Sequence, residues 1–295
     1  MKQLQGAPWL VAHRSMLKPN QPMKISLLGS DYVIWQDRDG TISALPNACP
    51  HMGAMLSEGW CVSQSEGHSA RPSESVSRIV CPFHALEFDP DGCTVLPGSN
   101  KKTKPLLQPL ELIVQGDFVW SYGGYEPKIP IPSIMNEIAA AYEFIGVTGE
   151  RSIPTDLLSL LLNMHDYNHQ NGTHRDLFEI EAVQVTQFID EGLHSHAYLS
   201  QPRKQPTFRD ILRNPAQIAM PKVLEAHLEN FFPFMGLLHG EDKLLSLKEC
   251  HFYVPEADDR SRVFVLMYMK AHSPIAHLLK NNMLKLIDVF VDQDA

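Results

Sequence analysis

Through the first 125 positions, apolar and polar residues alternate in short runs. Met23 to Leu28, Tyr32 to Gln36 and Thr41 to Leu45 follow this pattern, which predicts strands, and Asp39-Gly40 between the last two is a hairpin signal. Further strands are expected at Ile79 to Val80, Leu86 to Phe88, Leu110 to Val114 and Phe118 to Tyr122. Turn residues at Asp89-Pro90-Asp91-Gly92 and Gln115-Gly116-Asp117 separate them, so a small antiparallel β domain is expected. Val62 to Arg78 is rich in Ser, Glu and Gly with few apolar residues, which predicts an exposed loop inserted into that domain. Three prolines in Tyr125-Glu-Pro-Lys-Ile-Pro-Ile-Pro-Ser133 favour an extended connector. Beyond it the leucines of Thr155 to Gln170 recur at helical spacing, with Thr155 as the expected N-cap. Strand-like stretches follow at Glu179 to Ile189, His194 to Leu199, Lys248 to Val254 and Arg262 to Lys270, then an amphipathic helix from near Pro274. The reading is α+β in two domains, 1–125 and 136–295, joined by a Pro-rich linker at 126–135.

Composition narrows the chemistry. The 295 residues are 44% hydrophobic and 20% charged, ordinary values for a globular chain, and the net charge of −9 argues against a clamp on nucleic acid phosphates. The densest apolar run, Leu157 to Leu162, is far short of the ~20 residues that span a bilayer. A soluble cytoplasmic chain with no membrane span is therefore expected. Five cysteines in a chain of this length do not make a disulfide framework, while fourteen histidines direct attention to metal binding.

Two short segments, Cys49-Pro-His51 and Cys81-Pro-Phe-His84, each place one cysteine and one histidine within reach of a single centre. Chance would produce both spacings in such a chain about 0.06 times. Two thiolates and two imidazoles fit a [2Fe–2S] cluster in which the histidine pair holds one iron and the cysteine pair the other. Two cysteines with two histidines are also a zinc set, but zinc fingers usually keep their cysteines together and their histidines together, so the mixed order favours the cluster. With Trp9-Leu-Val-Ala12 and Ala44-Leu-Pro-Asn-Ala-Cys-Pro-His-Met-Gly53 around it, the chain resembles the Rieske family over about residues 7 to 123. The 29 residues between His51 and Cys81 exceed what oxygenase members typically have. Ala54 and Phe83 stand where Rieske proteins of respiratory complexes carry a disulfide, so the resemblance points to the oxygenase or ferredoxin branch. Cys61, Cys93 and Cys250 have no partner motif and are expected to be structural.

A second constellation, Asp166, His169 and His174, has the form DxxHxxxxH. Asp166 and His169 are expected to share a helix face, with Gly172 ending the helix so that His174 folds back. Two histidines and a later carboxylate make the facial triad of non-haem Fe(II). Against this, His165 and His169 are also i, i+4, and a helical Asp/His pair is often a solvated contact. Together with the upstream motif and the linker, the run is similar to the α subunits of Rieske non-haem iron oxygenases, and Asn163 to the monooxygenase and O-demethylase members in particular. That resemblance implies a helix-grip-like catalytic domain with a curved antiparallel sheet. It also implies His169 and His174 as ligands of a mononuclear iron, Asp166 as a bridge to the Rieske histidine of a neighbouring subunit in a homotrimer, and a third ligand near the C-terminus.

Asp294 matches the Gln-Asp setting of that ligand best, ahead of Asp292 and Asp288. Asp288 and Asp292 share one helical face, whereas Asp294 projects about 160° from Asp288. Only Ala295 follows, so either the helix end is short or the sequence is truncated. The activity implied is O2 activation by a terminal oxygenase component that hydroxylates or oxidatively demethylates an organic, ring-containing substrate. Its electrons would come from NAD(P)H through a ferredoxin or flavin reductase. The competing reading is a Rieske electron-transfer protein whose C-terminal half only binds a ligand. Phe188 and Phe231 to Met235 are candidate pocket residues, although an aromatic cluster is more often core.

Overall fold

The computed structural model describes residues 4–63, 77–94, 102–174, 180–205, 207–208, 222–241, 245–274 and 276–294. The chain divides into two compact units, Met1–Ile131 with Val254–Asp258, and Pro132–Tyr253 with Asp259–Ala295.

The first unit makes every strand pairing within its sheets antiparallel. It contains β1 (Trp9–His13), β2 (Met23–Leu27), β3 (Ser30–Gln36), β4 (Ile42–Pro46), β5 (Trp60–Ser63), β6 (Ser77–Val80), β7 (Glu87–Phe88), β8 (Ile113–Gln115) and β9 (Phe118–Ser121). These form three three-stranded sheets in the orders β1-β9-β8, β2-β3-β4 and β5-β6-β7. The β3–β4 turn forms where Asp39-Gly40 predicts it. Asp37 accepts from the backbone N–H of Asp39 and Thr41, and Gly40 takes φ +85°. Val33 and Trp35 of β3, Leu45 of β4, Ile79 of β6 and Phe88 of β7 pack into one core that also contains Cys49 and Cys81. Trp35 Nε1–H donates to Ser77 Oγ at 3.0 Å, which satisfies the indole at the centre of that core.

Two strands of this unit escape the alternation rule. β1 is buried at every position, so its apolar run has no period, and β5 is only four residues long. The expected loop Val62 to Arg78 begins and ends in sheet. Val62 pairs with Arg78 and Ser63 with Ser77, while 64–76 lie outside the described residues.

The second unit opens with α1 (Ile134–Ala141), which starts inside the expected linker. Ser133 precedes it, and Met135 and Ile138 are its buried positions. Then come β10 (Glu143–Ile153), α2 (Leu157–His165), α3 (His169–Gly172), β11 (Gln184–Asp190), β12 (His194–Pro202), β13 (Val223–Phe231), β14 (Met235–Glu241), β15 (Leu245–Ala257), β16 (Arg260–Ala271) and α4 (Ala276–Asp294). The strands form one seven-stranded sheet in the order β10-β16-β15-β14-β13-β12-β11. The expected helix Thr155 to Gln170 is two helices. Asp156, not Thr155, is the N-cap, because its carboxylate accepts from the Ser159 N–H while the Thr155 carbonyl accepts from Ser261 on β16. Asp166 ends α2 with a non-helical ψ of 82°, so Asp166 and His169 do not share a helix face.

α4 lies on β10, and small residues set its approach. Gly149 takes φ +61°, and a Cβ there would stand 2.7 Å from Val291 Cγ2. A Cβ at Gly146 would stand 3.0 Å from Leu284. Thr148 Oγ1 donates to the Leu284 carbonyl at 2.8 Å, and the Gly149 N–H donates to Asp288 at 3.2 Å. Arg151 Nε reaches Asp292 at 2.6 Å and its Nη2 reaches Asp288 at 3.2 Å. These contacts fix the rotation of α4: Asp288 and Asp292 turn towards β10, and Asp294, two positions on, turns elsewhere.

Gly149→Ala forces a side chain into the left-handed region and against Val291. It should cost roughly 2–4 kcal/mol in urea unfolding followed by circular dichroism. Val291→Ala in the same background should recover part of the loss. Unchanged stability of Gly149→Ala would mean that α4 does not approach β10 this closely.

Candidate functional site

The two Cys/His loops of the first unit are built alike. Each cysteine follows a strand end, with β4 leading to Cys49 and β6 to Cys81. In the first loop the Cys49 N–H donates to the Ala54 carbonyl at 2.9 Å and the Gly53 N–H donates back to Cys49 at 2.8 Å. In the second, the Cys81 N–H donates to Leu86 at 2.9 Å and the Ala85 N–H donates back to Cys81 at 3.0 Å. The fifth residue of each loop has positive φ, +76° at Gly53 and +54° at Ala85. Both thiols are buried and both imidazoles are exposed. The rings meet, with His51 Nδ1 and His84 Nδ1 3.2 Å apart.

Burial pushes the Cys49 thiol above its ordinary pKa and the neighbouring Cys81 thiol adds to the rise, while the backbone N–H groups of His51 and Met52 oppose it. Two adjacent buried thiols give up their protons when a metal centre takes their place. The donor set of two buried sulfurs and two converging ring nitrogens fits a [2Fe–2S] cluster with both thiolates on one iron and both imidazoles on the other. Met52 and Phe83 are exposed beside these histidines. Outside the loops, Cys93 and Cys250 are buried and free, and burial raises the free Cys61 thiol to about 12, so none of the three is poised for chemistry.

In the second unit, His169, His174 and Asp294 converge. His174 Nε2 lies 3.2 Å from Asp294 Oδ1 and His169 Nε2 lies 3.8 Å from it. The His174 side chain is fully buried, and those of His169 and Asp294 keep 9% exposure each. Neither Nε2 has a hydrogen-bond partner. The reason lies at the other ring nitrogens. His169 Nδ1 contacts the Asp166 carbonyl, which can only accept, so Nδ1 carries the proton and Nε2 presents a lone pair. His174 Nδ1 lies 2.8 Å from Gln293 Oε1, and donation there leaves the same lone pair on its Nε2. Phe290 stacks on the His174 ring at 3.7 Å between centroids and locks its plane. Two orphaned imidazole nitrogens and a carboxylate oxygen aimed at one point are the facial set of a divalent iron.

The other sequence candidates lie apart from this triad. Asp292 and Asp288 are held by Arg151, and His165 Nδ1 is 2.6 Å from the Leu161 carbonyl. The Asp166 carboxylate is exposed and accepts from the Asn168 N–H, while its carbonyl orients His169. Gln293 and Phe290 escape sequence reasoning, although Gln293 lies inside the Asp292-Gln-Asp294 segment that draws attention to the helix end and Phe290 lies two residues before it.

His169 also lines a cavity of about 230 Å³. Cross-strand pairs Leu228↔Leu238 and Leu238↔Glu249 share its walls with Asn230↔Gly236 and Gly236↔His251, while Leu286 and Phe290 of α4 close it. The wall is largely apolar with convergent polar groups, the make-up of a small-molecule site. Phe188 and Phe231 to Met235 do not line it. Phe188 is exposed, Phe234 and Met235 are buried in the core, and Phe231 stacks on His194.

Residues 7–108 match the family model described as the Rieske [2Fe-2S] domain. Among curated proteins, the aminopyrrolnitrin oxygenase of Pseudomonas fluorescens is 27% identical over 195 residues, 63% of this chain and 50% of that protein. The oxygenase component of the dicamba O-demethylase of Stenotrophomonas maltophilia is 26% identical over 174 residues, 57% of this chain and 47% of that one. The chain thus spans half or less of the length of these relatives. A crystal structure of dicamba monooxygenase bound to dicamba aligns with a TM-score of 0.70 and 19% identity, covering 98% of this chain and 86% of that one. That likeness is one of fold.

Gln293→Leu removes the acceptor that holds the His174 tautomer. It should weaken binding of the mononuclear iron about 10–100-fold, measured by competition with a chromophoric chelator, and leave the visible spectrum of the cluster unchanged. Unaltered iron affinity would show that Gln293 does not set that ring.

Proposed function

We propose that the chain, whose residues 7–108 match the Rieske [2Fe-2S] domain, is a terminal oxygenase component of the Rieske non-haem iron oxygenase α-subunit type, acting on an organic ring-containing molecule. In this reading Cys49, Cys81, His51 and His84 hold the cluster, and His169, His174 and Asp294 hold the Fe(II). When bound, the two centres supply stored electrons and O2 activation respectively. The observation that carries the reading is the convergence of two partnerless buried Nε2 atoms on Asp294 beside an apolar cavity.

The protein's own groups then have distinct tasks. Asp166 and Gln293 keep the ligand lone pairs pointed inward, and Asp294 offsets positive charge on the metal with one hard oxygen. The largely apolar cavity walls would position the substrate next to His169. That wall, with its few polar groups, supports an organic, ring-containing substrate. The reaction class is hydroxylation or oxidative demethylation, in line with the demethylase among its relatives. Exposure of His51, His84 and the Asp166 carboxylate supports electron entry and exit at surfaces. The donor would be a ferredoxin or flavin reductase, and the assembly a homotrimer in which Asp166 meets a Rieske histidine of the neighbouring copy. Five free cysteines fit a reducing, cytoplasmic setting, and among the described residues no helix is long and apolar enough to cross a membrane.

Anaerobically purified protein should contain about three irons per chain, two in the cluster and one outside it. Asp294→Ala should lower this to about two with an intact cluster spectrum, and Asp292→Ala should leave it unchanged. O2 uptake with an added reductase should respond to substituted monocyclic aromatics. Two irons in the unaltered chain, with no uptake on any substrate, would instead identify an electron carrier. Asp166→Asn should keep all three irons yet lose roughly 10-fold or more in turnover; full turnover would remove the carboxylate from the electron path.

A further inference from the structure

Side chains alternate across a sheet, so the strands that wall the cavity present their other residues to the opposite face. There the pairs His196↔Glu229 and Tyr198↔His227 join β12 to β13, and His227↔His239 joins β13 to β14, with His239 also bordering the cavity. Neighbouring strands thereby bring four histidines, His194 included, around one carboxylate. None of them belongs to the iron site.

We propose that this face carries a second transition-metal site, for zinc or a similar borderline divalent ion, with His196 Nδ1, His227 Nε2 and the Glu229 carboxylate as ligands. The three ligand atoms lie within 4.8 Å of one another. His196 Nδ1 is 3.1 Å from His227 Nε2 and 3.9 Å from Glu229 Oε2. A tetrahedral ion with bonds of ~2.0–2.1 Å sets its ligands about 3.4 Å apart, so little movement is needed to close the set. Two imidazole nitrogens facing each other form a hydrogen bond only while one keeps a proton; an ion between them uses both lone pairs.

Further groups brace the carboxylate. His239 Nε2 lies 2.6 Å from Glu229 Oε1, and Lys248 contacts the Nδ1 of the same ring. An ammonium can only donate, so His239 keeps its proton on Nε2, the ring nitrogen close to Glu229 Oε1. Oε2, the oxygen nearest His196, would then serve the ion with a lone pair that its contact with His194 does not use. His194 Nε2 lies 3.0 Å from Oε2, and the His227 ring stacks between Tyr198 and His239, with centroids at 4.3 and 4.4 Å. Ligands on adjacent strands with ordered neighbours make a prebuilt site. His196 and His227 remain partly exposed, so an ion can enter from solvent.

The test uses the intact protein loaded with its irons. It is incubated with zinc sulfate and passed through gel filtration, and zinc and iron are counted together by mass spectrometry. The wild type should gain about one zinc per chain with iron unchanged. His196→Ala/His227→Ala should gain none while keeping its iron and cluster spectrum, and Glu229→Gln should bind zinc roughly 10-fold or more weakly. If the double variant fails to fold by circular dichroism, His227→Gln gives the same reading through a similar loss in zinc affinity. No zinc uptake by the wild type, equal uptake by the variants, or uptake matched by loss of iron would each overturn the proposal. The last would place the zinc in the iron site.

Discussion

Two buried imidazole nitrogens without hydrogen-bond partners are the feature around which the second unit is organised. Leaving one buried polar atom unsatisfied costs about 1–3 kcal/mol, so His169 Nε2 and His174 Nε2 together cost a large part of a domain's net stability. The fold nonetheless commits side chains to keeping them exposed to each other and to Asp294. The Asp166 carbonyl and Gln293 Oε1 each occupy the outer nitrogen of one ring, and Phe290 fixes the plane of the second. Such an arrangement is stable when something binds at the point of convergence. A hard divalent ion held by two imidazoles and a carboxylate does so.

The carboxylate arrives by a long route. Asp294 is more than a hundred residues from His174 and sits at the end of a helix whose placement depends on β10 at the far edge of the sheet. Gly146 and Gly149 let α4 come close, Thr148 and Arg151 set its rotation, and the last turn then falls beside the histidines. In the first unit the corresponding constraint is local. Two strand ends deliver two loops with the same backbone hydrogen bonds, and the thiols are buried in the core while the imidazoles face outward. Exposed histidines beside buried sulfurs would leave a cluster held there shielded on one side and accessible on the other.

Much of this was legible in the residues. Cys49, His51, Cys81 and His84 could be picked out because ligand spacing within a short loop survives in sequence. Asp294 is preferred to Asp288 and Asp292 on its Gln-Asp setting, helical geometry sets it on a different face from them, and in the structure Arg151 holds the other two. Other elements were hidden for identifiable reasons. β10 and β14 contain glycines that read as breaks, yet Gly149 admits α4, and a Cβ at Gly236 would stand 2.9 Å from the Tyr253 hydroxyl. α1 was masked by the prolines before it. The leucine spacing of α2 gave no sign that Asp166 would end the helix, and the tautomers set by Asp166 and Gln293 depend on contacts no pattern encodes. The aromatic run Phe231 to Met235 gave a misleading pocket signal because most of its bulk faces the core or the opposite side of the sheet.

The central claim is that one chain holds an iron–sulfur cluster on two matched loops and a separate iron on His169, His174 and Asp294. Anomalous diffraction at the iron edge from crystals of anaerobically loaded protein tests it most directly. A strong double peak is expected among Cys49, His51, Cys81 and His84, and a single peak within bonding distance of His169 Nε2, His174 Nε2 and Asp294. A peak at the first position alone, or a second one whose nearest carboxylate is not Asp294, would contradict it.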